Sequence, residues 1–319
     1  MPVIAAMALA MPRRWRLMWR LTDPWTKPTM ENPTRGILLL LASTLLFSIS
    51  DVMAKFLGDY IPVIEIGWIR YFTFLVVVLI VNLQRGRMKL RVNYPGVQLM
   101  RGVMMVASML FFIFSLRFLP LADAAAIGFV SPLIITALSV PMLGEVVGIR
   151  RWTAIAVGFI GVLIVIRPGT GAFQPAAFLV LASSLCWAFA SIFTRRIAGR
   201  DDTSATMLWT GIIGFGLLSA LVPFDFTFPS VPHLALNIVL GTIATIGQYW
   251  MILAYRHAGA ALLAPFSYIQ LLWAISSGYL IFGTLPDQMT LLGASIITAS
   301  GLYTIHRERL RARARAAVV

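Results

Sequence analysis

The sequence predicts an all-α integral membrane protein: ten transmembrane helices in two inverted five-helix repeats. Three observations carry this expectation: an apolar composition, ten apolar runs of membrane-spanning length, and a match between the two halves of the chain. Of 319 residues, 59% are hydrophobic and only 12% charged, and the mean hydropathy is +0.86. Soluble domains run at about 45–50% apolar and about 25% charged, so a water-exposed fold lacks the polar surface to cover this chain. The net charge of +14 comes from basic residues dispersed among short links, which argues against a nucleic-acid face.

The runs lie at 34–57, 62–83, 96–117, 120–142, 149–167, 174–196, 203–222, 234–255, 260–282 and 286–305. Each approaches the ~20 residues a helix needs to cross ~30 Å of hydrocarbon. Most links are short, and several carry turn residues, such as Asp59-Tyr60-Ile61-Pro62, Pro168-Gly169 and Phe224 through Pro232. Consecutive helices are therefore antiparallel neighbours in a bundle. The alternating segments of a β-barrel do not occur. Of the 26 Lys and Arg residues, all but Lys55, Arg70, Arg117 and Arg167 fall on one side of a ten-span drawing. Positive residues stay cytoplasmic, so both termini are expected in the cytoplasm.

Residues 1–29 form a basic extension in which an apolar stub precedes RRWRLMWR, the reverse of signal-peptide order. Two readings stand: the chain starts at Met30, or the segment lies on the membrane surface with Trp15, Trp19 and Trp25 as anchors. A basic tail follows from 307 to 319. Cys186 is the only cysteine, and His233, His257 and His306 fall far apart at span ends. They offer no disulfide and no metal set, and no cofactor is expected.

Between these ends the chain repeats itself, as 30–168 and 169–306. Leu41-Ala42-Ser43-Thr44-Leu45 matches Leu181-Ala182-Ser183-Ser184-Leu185, which sets Asp51 opposite Ser191 and Lys55 opposite Arg195. ADAAAIGFVS (122–131) matches AGAALLAPFS (258–267), Leu143-Gly144 matches Phe282-Gly283, and Gly161 matches Gly301. Each half holds five spans, an odd number, so the second copy must insert upside down. That is a frequent ground plan of secondary transporters, whose site lies near the midplane between the halves.

The stretches RGVMMVASMLFFIFSLRFLPLADAAAIGFVSPLI (101–134) and ILAYRHAGAALLAPFSYIQLLWA (252–274) resemble the drug/metabolite transporter superfamily, EamA type. The resemblance covers roughly residues 34 to 305. Leu143-Gly144-Glu145 is similar to the family's Gly-Glu at the end of span four, whereas the second half has Phe282-Gly283-Thr284. If that acid helps close the cytoplasmic gate, the two gates are chemically unequal. The resemblance implies a ten-helix carrier of small metabolites in the bacterial inner membrane. It offers amino acids, riboflavin and S-adenosylmethionine as substrate classes without choosing among them.

Polar residues inside the spans are the candidates for the site. A charge at a helix centre costs about 2.5–3.5 kcal/mol on insertion scales, so it needs a partner or a function. Asp51 and Lys55 share a face at i and i+4 and can pair. Alternatively, Asp51 faces a cavity as a substrate or proton contact while Lys55 snorkels outward and serves as a gate. Arg70 can hold an anionic group or neutralise Asp51, with Glu65 less well placed as its partner. Asp123 and Arg117 are expected as solvated residues of an outer turn. Glu145, beside Arg150 and Arg151, is expected as a gate salt bridge. Phe266, Gln270 and Trp273 form one stripe of span nine. Gln248 and Tyr249 interrupt span eight, and Trp187 lies in span six. These read either as packing or as the aromatic wall of a small-molecule site. Pro132 and Pro265 mark kinks at corresponding places and are expected as gate hinges, which makes Phe129 and Ser131 cavity candidates.

No phosphate-binding loop occurs, so transport must draw on exchange, facilitated diffusion or proton coupling. A membrane-embedded transferase lacks its acid, base or metal cluster here, and a channel lacks its repeated filter. The expected partners are a small, partly aromatic metabolite and the lipid bilayer. The sequence does not choose between a monomer and a homodimer.

Overall fold

The computed structural model describes residues 32–84, 90–144, 148–170, 173–197, 200–258 and 260–316, with the backbone alone at 255–256, 260–261, 264, 305 and 307–316. The described residues form helices joined by short turns, with no strand among them. In chain order these are α1 (Pro33–Leu57), α2 (Val63–Gln84), α3 (Pro95–Leu116), α4 (Leu121–Gly128), α5 (Ser131–Leu143) and α6 (Ile149–Ile166). The second half holds α7 (Ala177–Ile197), α8 (Thr203–Leu221), α9 (Val231–His257), α10 (Ala260–Ser267), α11 (Ile269–Phe282) and α12 (Gln288–Ala316).

Local chemistry sets the starts and stops. Asn32 caps α1 by accepting from the Arg35 amide at 3.1 Å, and Pro33 occupies a position where a missing N–H costs nothing. Asp202 caps α8 through the Ser204 amide at 2.8 Å. Gly144 and Gly283 close α5 and α11 in the left-handed conformation, φ 69° and 65°, which glycine adopts without penalty.

Among the described residues, eight stretches are long and apolar enough to cross a membrane: α1, α2, α3, α4 with α5, α6, α7, Thr203–Phe224, and α9 as far as Ala254. The expected ninth and tenth spans are helical too, as α10 with α11 and as α12. The last helix runs on to Ala316, through the stretch expected as a separate tail. Large apolar side chains such as Leu79, Phe111, Ile160, Leu185, Ile212 and Leu280 point outward, as lipid-facing residues do.

Between helices, where lipid offers no hydrophobic drive, small residues and hydroxyls make the contacts. Ser108 of α3 and Ser183 of α7 each donate to the other's carbonyl, at 2.9 and 2.8 Å. Ser43 of α1, the counterpart of Ser183, has a buried hydroxyl with no such partner.

The packing obeys a two-fold exchange of the halves. α1 packs along α9 as α7 does along α3; α2 meets α9 as α8 meets α3; α11 lies on α1 as α5 lies on α7. α2 with α8, and α6 with α12, are self-mirrored pairs. In the fourth and ninth spans Leu121, Phe129, Ser131 and Gly144 answer to Ala260, Tyr268, Gln270 and Gly283 in one unbroken register. This corrects the match of 122–131 with 258–267, which is out by nearly one turn. Stretches rich in Ala and Leu match themselves after a slip of one turn, because small residues recur along a helix face at that spacing.

Candidate substrate site between the halves

The fourth and ninth spans are both broken after an eight-residue helix, about 12 Å along at 1.5 Å per residue. In the first half Pro132 sits in the opening turn of α5, so the ladder of α4 stops at Gly128 and Phe129-Val130 form the turn. In the second half Pro265 lies inside α10, and the break comes later, at Tyr268. The two prolines are therefore not equivalent: one opens the second segment, and the other removes a backbone donor within the first.

The breaks meet. Phe129 and Tyr268, mirrored positions, stack with ring centroids 4.9 Å apart at 27°. Tyr268 is only 7% exposed, and its hydroxyl is buried without a hydrogen bond among the described residues. It lies over Gly301 of α12, where any side chain would collide with the ring. Sequence reasoning missed Tyr268, because the slipped match had set Pro132 opposite it.

The charges of α1 and α2 are arranged differently from the expectation. Lys55 does not pair with Asp51. Its ammonium donates to the carbonyls of Leu116 and Leu119, at 2.6 and 2.7 Å, and lies 5.6 Å from the Phe282 ring centre. It thereby satisfies carbonyls left open at the end of α3 and complements that helix dipole. Glu65 does not serve Arg70. It is fully buried, and one carboxylate oxygen accepts from the Thr227 amide and hydroxyl at 3.2 and 3.3 Å. Asp51 and Arg70 are left over from these contacts: both side chains are half-buried at depth within the bundle. Arg70 is the charge whose field reaches Asp51. Even so, neither makes a hydrogen bond or salt bridge with a described residue.

The second-half candidates are spread over four helices, α7, α9, α10 and α11. The break takes Phe266, on α10 and 36% exposed, off the stripe that Gln270 and Trp273 continue on α11. The Trp273 ring nitrogen is buried and unpartnered among the described residues. One turn on, Ser277 approaches Ser48 of α1 at 3.4 Å. Gln248 and Tyr249 are half-buried on α9. Ser131 is half-buried where α5 begins, and Trp187 half-buried on α7. No ring contact or hydrogen bond among the described residues joins Trp187 or Phe266 to another candidate. Glu145 lies outside the described residues.

Polar contacts close both ends of the bundle. At the end carrying the α1–α2 link, Arg117 donates to the Ile61 carbonyl at 2.9 Å and Arg167 to Asp287. The Arg167 bond holds the Asp287 carboxyl down at about 2. Asp123 is not a solvated turn residue. It is half-buried in the first turn of α4, with one oxygen unpartnered, and lines a cavity of about 80 Å³ with Arg167, Gln174, Asp287 and Thr290. At the opposite end Gln98 donates to Asp201 at 2.9 Å and Thr206 at 3.0 Å, and the Asn93 amide to Asp201 at 2.7 Å.

Arg101, which the sequence offered only as one of the basic residues on the cytoplasmic side, is buried within α3, donating to Thr194 at 2.8 Å and Thr210 at 2.6 Å. At the mirrored contact, α9 presents Gly241 to Arg70. Each interface thus holds one arginine, carried by opposite partners.

The EamA-like transporter family matches residues 34–167 and, a second time, 174–305. The chain belongs to the EamA-like transporter family. With it come membership of the drug/metabolite transporter superfamily and the general role of a metabolite transporter. The S-adenosylmethionine uptake transporter of Rickettsia prowazekii is 28% identical over 281 residues, 88% of this chain and 95% of its own. The riboflavin transporter of Rhizobium johnstonii is 30% identical over 236 residues, 72% and 76% of the two chains. That of Vibrio cholerae is 28% identical over 290 residues, 89% and 97%. A solved crystal structure superposes with a TM-score of 0.63 over 87% of this EamA-like chain and 99% of its own. At 19% identity it speaks for the fold alone.

Proposed function

We propose that this EamA-like protein is a secondary carrier of the bacterial inner membrane that moves a small, partly aromatic metabolite by alternating access. The observation that carries the reading is the meeting of two broken helices, at mirrored positions, through the Phe129–Tyr268 stack. Interrupted helices at corresponding positions in two inverted halves are the form a carrier site takes. Two packed halves can rock about that meeting point, opening one end as the other closes. The distribution of Lys and Arg supports a cytoplasmic location for both termini. On this drawing Lys55, Arg117 and Arg167 belong to the outer closure, and Arg101, Gln98 and Asp201 to the inner one. The named relatives supply S-adenosylmethionine and riboflavin as substrates to try first. This makes the protein a carrier and not an enzyme, with Asp51 as the group through which a proton gradient would act.

The test is purified protein in proteoliposomes, given labelled S-adenosylmethionine and labelled riboflavin. We expect uptake that saturates and speeds up when unlabelled substrate is preloaded inside, with Phe129→Ala and Tyr268→Ala variants defective. Flux that rises linearly without saturation, or that ignores the preload, points to a channel and sinks the reading.

A further inference from the structure

Asp51 and Arg70 are opposite charges at similar depth. Asp51 is six residues from the end of α1 and Arg70 seven from the start of α2, roughly 10 Å in at 1.5 Å per residue. Burying unpaired ions costs several kcal/mol each, so such neighbours ordinarily collapse into a salt bridge. Here they do not, and each has lost its nearest local partner. Lys55, one turn from Asp51, is spent on the carbonyls of Leu116 and Leu119. Glu65, near Arg70 on α2, is turned instead to Thr227, which bonds one of its oxygens, while the other is buried without a partner among the described residues. The backbones are pinned as well, since Arg70 Cα lies against Gly241, and Leu46 and Phe47 lie against Gly247. The other half has no copy of this arrangement, because Asp51 answers to Ser191 and Arg70 to Thr210.

We infer that the gap between Asp51 and Arg70 is a recognition site for a zwitterionic amino-acid headgroup, its carboxylate on Arg70 and its ammonium on Asp51. This rests on the carrier reading above and narrows it. A guanidinium offers a planar fork that matches a carboxylate, and a carboxylate accepts all that an ammonium donates. The substrate fills with its own two charges a gap the protein leaves open. A flavin, which lacks this pair of charges, leaves both side chains unpaired in the bound state and is disfavoured.

The experiment uses the full chain in proteoliposomes with S-adenosylmethionine, tryptophan and riboflavin. It adds two analogues of S-adenosylmethionine, the decarboxylated form and the 2-oxo form without the ammonium, as competitors. At least one zwitterion should enter. If it is S-adenosylmethionine, its two analogues compete; if tryptophan, tryptamine and indole-3-pyruvate replace them. The parent should prefer the intact zwitterion by roughly 30-fold over either truncated form, the size of one charged hydrogen bond. Arg70→Gln should erase the preference for the carboxylate alone, and Asp51→Asn the preference for the ammonium alone, a cross-pattern no structural ion pair produces. If both variants fail to fold, the analogue series on the parent still decides. Entry of riboflavin with exclusion of both zwitterions overturns the inference and leaves the carrier standing. Equal competition by the truncated forms also overturns it. Entry of none of the three overturns the carrier reading itself.

Discussion

Replacing Lys55 by Met tests how the α1–α2 end is held. The ammonium donates two hydrogen bonds, at 2.6 and 2.7 Å, to carbonyls at the end of α3, and sits over the Phe282 ring. A hydrogen bond to a charged group contributes about 1.5–3 kcal/mol. Lys55 is only partly buried, so water replaces some of what is lost, and the net cost is about 2 kcal/mol for the pair. With an unfolding entropy of ~2.1 cal/mol/K per residue, that lowers the melting temperature by about 3 °C. Met keeps the length and the apolar stem, so packing changes little. The assay is thermal unfolding of the purified protein in detergent, with Lys55→Arg beside it to restore a cation. If the contacts are released when this end opens, the same 2 kcal/mol moves the closed-to-open balance by roughly 30-fold. A Lys55→Met protein that melts with the parent and transports at the parent's rate would falsify this account.

Arg101 and its threonines should respond in the reverse of the intuitive order. The Thr194 and Thr210 hydroxyls also donate to their own helices, at the Ala190 and Thr206 carbonyls. Arg101→Leu therefore orphans nothing and should cost under about 1 kcal/mol, whereas Thr210→Val leaves a buried cation short of a partner and should cost about 2 kcal/mol; denaturant titration separates them. Gly301→Ala should push the Tyr268 ring off Phe129, destabilise by roughly 1–3 kcal/mol and cut uptake. Adding Tyr268→Phe, which removes the colliding hydroxyl, should recover much of both. For the Arg167–Asp287 pair the folded carboxyl, at about 2, lies below its ordinary value near 3.8. Its contribution is complete above the ordinary value and is lost as pH falls through about 2. Asp287→Asn should therefore melt below the parent at pH 7 and together with it under strong acid, while the pair leaves uptake between pH 5 and 8 unchanged.

The membrane class, the helix positions and the inverted plan were legible because they rest on runs of twenty residues, where single misreadings average out. The charges were less so. Spacing at i and i+4 brought Asp51 and Lys55 within reach, but the competing acceptors at Leu116 and Leu119 exist only once α3 is packed against α1. Glu65 was drawn off Arg70 in the same way, by Thr227 from a link more than a hundred residues away in sequence. Arg101 was counted only toward the charge bias because it falls within two turns of the start of α3, and its partners Thr194 and Thr210 lie on other helices. Tyr268 needed the true register, which repetitive Ala and Leu blurred. In each case the deciding contact is long-range, and a one-dimensional pattern does not contain it.

The two halves have the same architecture but unequal charge, since the Asp51–Arg70 site has no duplicate at the mirrored positions. A carrier made of two identical copies would look alike from either side of the membrane, with one KM for both directions. Unequal halves remove that constraint. A solute then binds with different affinity when the site faces out and when it faces in, and microscopic reversibility makes the maximal rates differ to match. Such a protein can stay half-saturated at a dilute external supply and release into a concentrated interior without an energy source of its own, so long as the combined gradients of solute and potential point inward.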